Sequence, residues 1–292
     1  MKFLIYGKGW IAQQIIRHLE KLGYDYCLGQ SRVDDIVNVK KELMDLKITH
    51  VLCIIGRTHG IYNGKEYPTI DYLEQPGRLE ENIKDNLFAP VSLAILCKEL
   101  DISLNYLGTG CIFNYNETHT TEIGFTEEDQ PNFFGSSYSI VKGFTDRLMH
   151  LLPVCNARIR MPITDENNSR NFITKIVNYQ KICSMPNSMS VLDDLIPVFI
   201  DLAVRNFKGT INLTNPGVIE HNEILQMYKE IVDPNFVWQN FTYDEQIKIL
   251  AAGRSNNYLD TKLLESLYPN VPHIKDSIRN VLIRMRENSL EK

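Results

Sequence analysis

An apolar run that stops at a glycine turn and resumes as a helix constrains this chain more than any other feature. Residues 3–12 read Phe3-Leu4-Ile5-Tyr6-Gly7-Lys8-Gly9-Trp10-Ile11-Ala12. Ile11, Ile15, Leu19 and Leu22 then recur on one helical face. The pattern is strand, tight turn, helix, written Gly-x-Gly-x-x-Ala. Gly7 permits the turn, Gly9 lets backbone approach a pyrophosphate, and the small Ala12 lets helix and strand pack closely. The first N–H groups of the helix would face the phosphates, which makes Gly7, Gly9, Trp10 and Ile11 candidate cofactor contacts. An ordinary glycine turn is the competing reading.

The next segments keep alternating. Residues 24–28 read as a strand that ends at Gly29-Gln30-Ser31-Arg32. A site for unphosphorylated NAD usually carries Asp or Glu at this place, and none is found there. Ser31 and Arg32 suit a 2′-phosphate instead, which favours NADPH over NADH; a solvated loop arginine is the alternative. Val51–Ile55 is nearly all apolar, as expected of a parallel strand covered on both faces. It ends at Gly56-Arg57-Thr58-His59-Gly60, at the sheet edge where ligands bind in open α/β folds. Gly56 is therefore a cofactor candidate and Thr58 a substrate candidate. The long connection 61–77 reads as a substrate-side loop.

Residues 79–99 read as a helix with Pro90 inside it, which predicts a kink or a break. Asn86, on that helix, is a substrate candidate or a surface amide. Strands follow at 102–107 and 154–159, separated by an irregular stretch and by a helix capped at Ser136. The whole predicts an α/β fold: a Rossmann-type doubly wound parallel sheet with a smaller, mostly helical substrate lobe. Residues 1–162 make the NADP-binding domain, and segments at about 190–215 return to it. Residues 163–292 are mainly the substrate-binding lobe, with 286–292 frayed.

Composition narrows the class. A net charge of −5 argues against a nucleic-acid partner. Met1-Lys2 leads directly into a strand, so no leader is expected, and no apolar run reaches membrane-spanning length. The six cysteines, Cys27, Cys53, Cys97, Cys111, Cys155 and Cys183, form no Cys-x-x-Cys pair. They read as free thiols of a reducing compartment, and the cytoplasm is the expected location. Neither they nor the seven histidines show metal-ligand spacing.

The residues with chemistry lie between 109 and 175. Tyr138 and Lys142 are four apart at a helix start, hence on one face. A phenol titrates near 10, and a neighbouring ammonium favours its ionised form. The pair can deliver a proton to a carbonyl oxygen while hydride reaches the carbon. Thr109, ending the preceding strand, can donate a second hydrogen bond to that oxygen. Cys111 is either an inert buried thiol or a proton donor and acceptor at carbon. Lys175 is its candidate partner, with His59 and His119 as rivals.

Several segments together resemble a known family. They are Phe3–Ile11, Gly108-Thr109-Gly110-Cys111-Ile112-Phe113, Phe133–Lys142, Arg158–Ile163, Arg170-Asn171-Phe172-Ile173-Thr174-Lys175, Pro186–Met189, Leu192–Leu195, Thr214–Val218 and Arg254–Asn257. The chain resembles, over nearly its whole length, the bifunctional 3,5-epimerase/4-reductases that make nucleotide-L-rhamnose. This type also forms the carboxyl-terminal half of plant rhamnose synthases, within the extended short-chain dehydrogenase/reductases, and is akin to the dTDP-4-dehydrorhamnose reductases.

The resemblance implies conversion of UDP-4-keto-6-deoxy-D-glucose to UDP-L-rhamnose with NADPH, in a homodimer. It implies that Cys111 and Lys175 are the epimerase acid/base pair and that Thr109, Tyr138 and Lys142 are the reductase triad. Arg32 matches an arginine near the adenosine phosphate. Arg254, with Asn256 and Asn257, matches residues holding the nucleotide diphosphate, and Asn171 joins Thr58 and Asn86 among the substrate candidates. The glycine turn departs from the family's Gly-x-x-Gly-x-x-Gly, which leaves NADH open. A 4-reductase alone, a related GDP-sugar enzyme and a non-catalytic cofactor-binding scaffold are the alternatives, and UDP is not distinguished from dTDP.

Overall fold

The computed structural model describes residues 1–290. In chain order its strands are β1 (Lys2–Tyr6), β2 (Asp25–Leu28), β3 (His50–Cys53), β4 (Gly60–Tyr62), β5 (Lys65–Tyr67), β6 (Ser103–Thr109), β7 (Cys155–Ile159), β8 (Pro162–Ile163), β9 (Ser190–Val191) and β10 (Gly209–Asn212). The helices are α1 (Trp10–Leu22), α2 (Ile36–Asp45), α3 (Leu79–Ile83), α4 (Ala89–Glu99), α5 (Ser137–His150), α6 (Phe172–Val177), α7 (Leu192–Val204), α8 (His221–Ile231), α9 (Tyr243–Ile249), α10 (Lys262–Leu267) and α11 (Ile274–Leu290).

Six strands form one parallel sheet in the order β10-β7-β6-β3-β1-β2. The chain moves outward from β1 to β2, then returns to the other side of β1, so the order reverses between β1 and β3. That reversal opens a crevice at the carboxyl edge, where ligands bind in such folds. One apolar layer, with Ile15, Leu19, Phe199 and Leu202, packs α1, α7 and α10 on one face. A second, with Val39, Leu43, Leu93, Cys97 and Met149, packs α2, α4 and α5 on the other. Coverage of both faces explains the unbroken apolar run of β3. A third apolar cluster, holding Ile163, Ile173, Ile224, Ile278 and Val281, joins the β8–β9 pair to α6, α8 and α11.

Pro90 does not break its helix. Residues 84–88 form a π-turn that joins α3 to α4. Proline has no N–H for the carbonyl of Asn86, four residues back. That carbonyl instead accepts the Thr145 hydroxyl at 2.6 Å, so the missing backbone bond is replaced from α5. The segment 61–77 is also more ordered than expected. It contains the β4–β5 hairpin and a 3₁₀ turn over Ile70–Glu74. Asn63 and Gly64 both take positive φ, 49° and 77°, which Asn-Gly at a two-residue hairpin favours. The expected fraying of 286–292 is corrected in part: helical bonding continues in α11 through Leu290, and residues 291 and 292 lie outside the described residues.

Candidate active site

The sheet brings the candidate residues to its carboxyl edge because each follows a strand. Gly7 leaves β1 at φ 126°, and a Cβ there would lie 2.7 Å from the carbonyl oxygen of Ile54. Only glycine fits. Gly9 caps α1 with open space around it, and neither a capping side chain nor an acidic first-turn residue blocks the helix end. The turn therefore fits a dinucleotide pyrophosphate. Trp10 opens the helix and donates its ring N–H to Glu166 at 3.0 Å, while Ile11 packs into the α1–α7 layer. Gln14, at 2.8 Å, and Arg17 hold the same carboxylate. The link after β8 is thereby tied to the first turns of α1.

At the end of β2 the structure adds a residue that sequence reading missed. Glu42, on α2, accepts the N–H groups of Gln30 at 2.7 Å and Ser31 at 3.1 Å, and the Tyr6 hydroxyl at 2.8 Å. It lies twelve residues after Gln30, too far for a search at the strand end to find. Arg32 is mostly exposed and meets Asp34 at 2.9 Å; Lys84 meets Asp34 at 2.7 Å. Both cations, with Arg57, line a cavity of about 360 Å³.

Two candidate substrate contacts are corrected. Asn86 is fully buried; it accepts the N–H of Arg57 and donates to its carbonyl, both at 2.9 Å. It clamps the loop after β3 and leaves no group for a sugar. The expectation of a surface amide fails for the same reason. Asn171 is also buried, donating to the carbonyls of Thr164 at 2.8 Å and Glu166 at 2.7 Å while capping α6. Its effect is to aim the helix that carries Lys175. Asn256 and Asn257 are committed similarly, to Asn187 and to the carbonyls of Gly110 and Phe113. Gly56 passes beside the Asn86 amide, and Thr58 contacts the ring of its neighbour His59.

Thr109, Cys111 and Tyr138 do meet. The Thr109 hydroxyl oxygen accepts the N–H of Cys111 at 3.0 Å, and Cys111 packs against the Tyr138 ring. Ser139 donates to the carbonyl of Cys111 at 2.9 Å, which locks the start of α5 to this turn. Tyr72 and Leu73, on the 3₁₀ turn, pack against Tyr138 and Cys111. Burial first, and then the neighbouring Cys111, push the Tyr138 phenol up. Lys142 is 4% exposed and burial lowers it to about 8. Its ammonium bonds the phenol of Tyr106 on β6, a partner the i,i+4 spacing gave no sign of.

Lys175 is lowered to about 8, by burial first and then by the charges of Arg170 and Arg254. Arg170 reaches the carbonyl of Pro68 at 3.4 Å. Arg254 bonds the carbonyl of Ala252 at 2.7 Å and pairs with Asp71, whose carboxyl it holds below the ordinary range against the effect of burial. His59 is lowered by burial and by Arg170, Arg57 and Lys175, so it joins this cationic group. His119 does not: it stacks on Phe125 at 4.0 Å and meets Asp129 at 3.3 Å. A buried phenol and a thiol two residues past the strand end thus pack together, and Lys175 neighbours Arg170 and Arg254.

No protein-family model matches the chain. It is 53% identical to a protein of Acanthamoeba polyphaga mimivirus over 98% of its own length and 99% of the other's. The crystal structure of that protein, described as a UDP-rhamnose synthase, superposes with a TM-score of 0.93. A bifunctional dTDP-4-dehydrorhamnose 3,5-epimerase/dTDP-4-dehydrorhamnose reductase of Arabidopsis thaliana is 43% identical over 94% of this chain and 90% of its own. This chain belongs to the nucleotide-rhamnose epimerase/reductase family. A trifunctional UDP-glucose 4,6-dehydratase/UDP-4-keto-6-deoxy-D-glucose 3,5-epimerase/UDP-4-keto-L-rhamnose-reductase of the same plant is 44% identical over 95% of this chain, which spans only 41% of that longer protein. The family is enzymatic, and the viral structure shares the fold described above. Among the described residues no helix is long and apolar enough to cross a membrane, and no metal-binding cluster is found.

Proposed function

We propose that this protein is a bifunctional epimerase/reductase that converts UDP-4-keto-6-deoxy-D-glucose to UDP-L-rhamnose with NADPH. The packing of Cys111 against Tyr138, with Thr109 two residues before it at the strand end, carries the reading, because it sets a carbon-acid group beside a reductase phenol. A 4-ketone acidifies the hydrogens on C3 and C5, so one carbonyl supports both epimerisations through enolates. Thr109 and Tyr138 donate to the C4 oxygen and stabilise the negative charge that develops there. Cys111 and Lys175 exchange the carbon-bound protons from opposite faces. Reduction at C4 removes the acidity, so epimerisation precedes it.

When bound, the reduced nicotinamide supplies the hydride. Tyr138 gives the oxygen its proton, and Lys142, one turn on along α5 and bonded to the Tyr106 phenol, is the cation of the pair. Gly7, Gly9, Trp10, Ile11 and Gly56 line the dinucleotide's approach, and Arg32 with Lys84 favours a 2′-phosphate, hence NADPH. Arg170, Arg254 and Thr58 face the nucleotide sugar, where two guanidinium groups suit a diphosphate. Residues 1–162, with 190–215, form the cofactor half, and the later segments form mainly the substrate half. The six free thiols suit a cytoplasmic setting.

A homodimer fits the outer faces of α4 and α5. Phe88, Ile95, Phe144, Leu148 and Leu151 are large, apolar and exposed there.

The test is incubation with UDP-4-keto-6-deoxyglucose in deuterated water, with and without NADPH, followed by NMR of the sugar. Deuterium at C3 and C5 without cofactor, and rhamnose with it, are the expected results. Reduction without carbon-bound deuterium would leave a 4-reductase alone. Parallel runs with the dTDP sugar and with NADH rank the nucleotides.

A further inference from the structure

Two arginines near the end of β7 are each about 1% exposed, and they are treated differently by the fold. Arg158 has a counter-charge: its Nε and Nη2 meet the two oxygens of Asp146 at 2.9 Å and 2.8 Å. Arg160, two residues on, has none among the described residues. Its donors go to neutral oxygens: the carbonyls of Ser188 at 3.3 Å, Gly110 at 3.0 Å and Ser255 at 3.1 Å, the Ser255 hydroxyl at 3.0 Å and the Asn187 amide oxygen at 2.6 Å. A buried charge with complete hydrogen bonding but no ion pair keeps its field. A neutral side chain of similar volume would avoid the desolvation.

The field falls on one place. The guanidinium bonds the carbonyl of Gly110, the residue before Cys111. Gly110 is itself tightly enclosed, since a Cβ there would lie 3.1 Å from the Arg160 stem. The titratable groups that interact with Arg160 are Cys111, Tyr115 and His221. His221 is held neutral, with burial and Arg160 lowering it to about 4. The Tyr115 hydroxyl is committed to the carbonyl of Pro186 at 3.1 Å. Cys111 is the one of the three that packs against the cluster holding Tyr138.

We infer that Arg160 is a positioning residue for the epimerase half of the reaction, an unpaired buried cation beneath Gly110-Cys111 that favours negative charge at the carbon-acid site. The inference rests on the epimerase/reductase reading. In that reaction the Cys111 thiolate takes a carbon-bound proton and becomes a thiol, and the electron pair of the C–H bond moves to the keto oxygen as an enolate. The fixed cation holds this single negative charge at the site as it passes from sulfur to oxygen. Hydride delivery to C4 relies on the Tyr138 side of the site and depends on Arg160 much less.

The test separates the two halves. Deuterium exchange at C3 and C5 is measured without cofactor, and reduction is measured with the 4-keto-L-rhamnose nucleotide supplied directly. Three variants are compared: Arg160→Gln, Arg160→Lys and Asn187→Asp. The last keeps Arg160 but sets a carboxylate where the amide oxygen lies 2.6 Å from Nη2, supplying the missing counter-charge. The expected result is at least a tenfold loss of exchange in Arg160→Gln and Asn187→Asp, less than a threefold loss of reduction, and partial retention of exchange in Arg160→Lys. If Arg160→Gln does not fold, Asn187→Asp carries the test. Wild-type exchange in a folded Asn187→Asp variant, or parallel loss of both activities, overturns the inference. Failure of the wild-type protein to exchange deuterium would instead overturn the epimerase reading itself.

Discussion

Lys142 donates its hydrogen bond to the phenol of Tyr106, and its ammonium lies 4.7 Å from the centre of that ring. Tyr106 is in the middle of the sheet, opposite Cys53 on β3 and Asn156 on β7. Its hydroxyl is the neutral acceptor that accompanies the buried charge. Tyr106→Phe keeps the ring and removes the acceptor, so the charged form of Lys142 is disfavoured further. The alkaline limb of reduction, expected near 8 from Lys142, moves to lower pH in this variant. The lost buried bond costs about 1 kcal/mol of stability. A pH–rate profile with the pre-epimerised ketone and a urea titration measure the two effects.

The same burial makes stability depend on pH. A lysine in the unfolded chain titrates near 10.4, whereas Lys142 and Lys175 titrate at about 8 in the fold. Between these values the unfolded chain binds more protons at these two lysines, so their contribution to stability rises with pH from about 8 to about 10.4, with both penalties present in full below that window, while Cys53, Cys97 and Cys155, pushed up by burial, contribute the opposite slope. Lys142→Met, which removes one of the two groups, flattens that rise. Denaturant midpoints of the wild-type protein and Lys142→Met, compared from pH 7 to pH 10.5, check the sign; a stability advantage of the variant that does not shrink as pH rises contradicts it.

Cys111 and Lys175 separate the epimerase from the reductase. Lys175, lowered to about 8, is mostly protonated at neutral pH and serves as the acid that returns a proton to carbon. Exchange therefore declines above pH 8. Lys175→Arg, which stays charged, moves that decline upward, and Lys175→Met loses exchange at every pH. Cys111→Ala loses exchange by roughly 100-fold, the low end for a positioned acid or base. Reduction of the supplied 4-keto-L-rhamnose nucleotide stays within a few-fold in both cases. Deuterium incorporation and cofactor oxidation, followed on the same preparations, read out the two activities.

The sheet was legible because its signals are local. An apolar run, a glycine turn and a 3.6-residue period each lie within one short window. Thr109, Cys111 and Tyr138 were legible for a related reason: strand end and helix start are where such a fold exposes side chains. Asn86 and Asn171 misled because an amide looks alike in sequence whether it binds a ligand or clamps a loop; only the carbonyls it meets tell the two apart. Glu42, Tyr106 and Arg160 were missed because their partners are distant in sequence. The Asn63-Gly64 turn was a local signal, and its hairpin could have been read.

The two glycines of the first turn do different work. Gly7 has φ 126° and no room for a Cβ against the Ile54 carbonyl, so Gly7→Ala forces backbone to move. A loss of about 1–3 kcal/mol is expected, together with weaker cofactor binding. Gly9 has an ordinary φ of −78° and open space, so Gly9→Ala leaves stability nearly unchanged. It places a methyl group on the path of the pyrophosphate and weakens cofactor binding alone. Thermal melts and cofactor titrations on the two variants distinguish a folding glycine from a binding one; equal melting losses would remove the distinction.

The apolar face of α4 and α5 gives the last test. Phe144, Leu148 and Leu151 follow one another at helical spacing and are 59%, 40% and 74% exposed. Phe88 and Ile95 extend the stripe from the neighbouring helix. Large apolar side chains at i, i+4 and i+7 are normally the buried stripe of a helix, and the proposed homodimer would cover them with a second copy of the chain. The wild-type protein is expected at about twice the 33.7 kDa of one chain in solution. Phe144→Asp, which sets a charge in the middle of the stripe, yields monomers. Because Phe144 is on the outer face of α5, away from Tyr138, the monomer should retain reductase activity. Light scattering and activity assays at matched concentration check both halves, and a wild-type monomer at micromolar concentration would exclude the dimer.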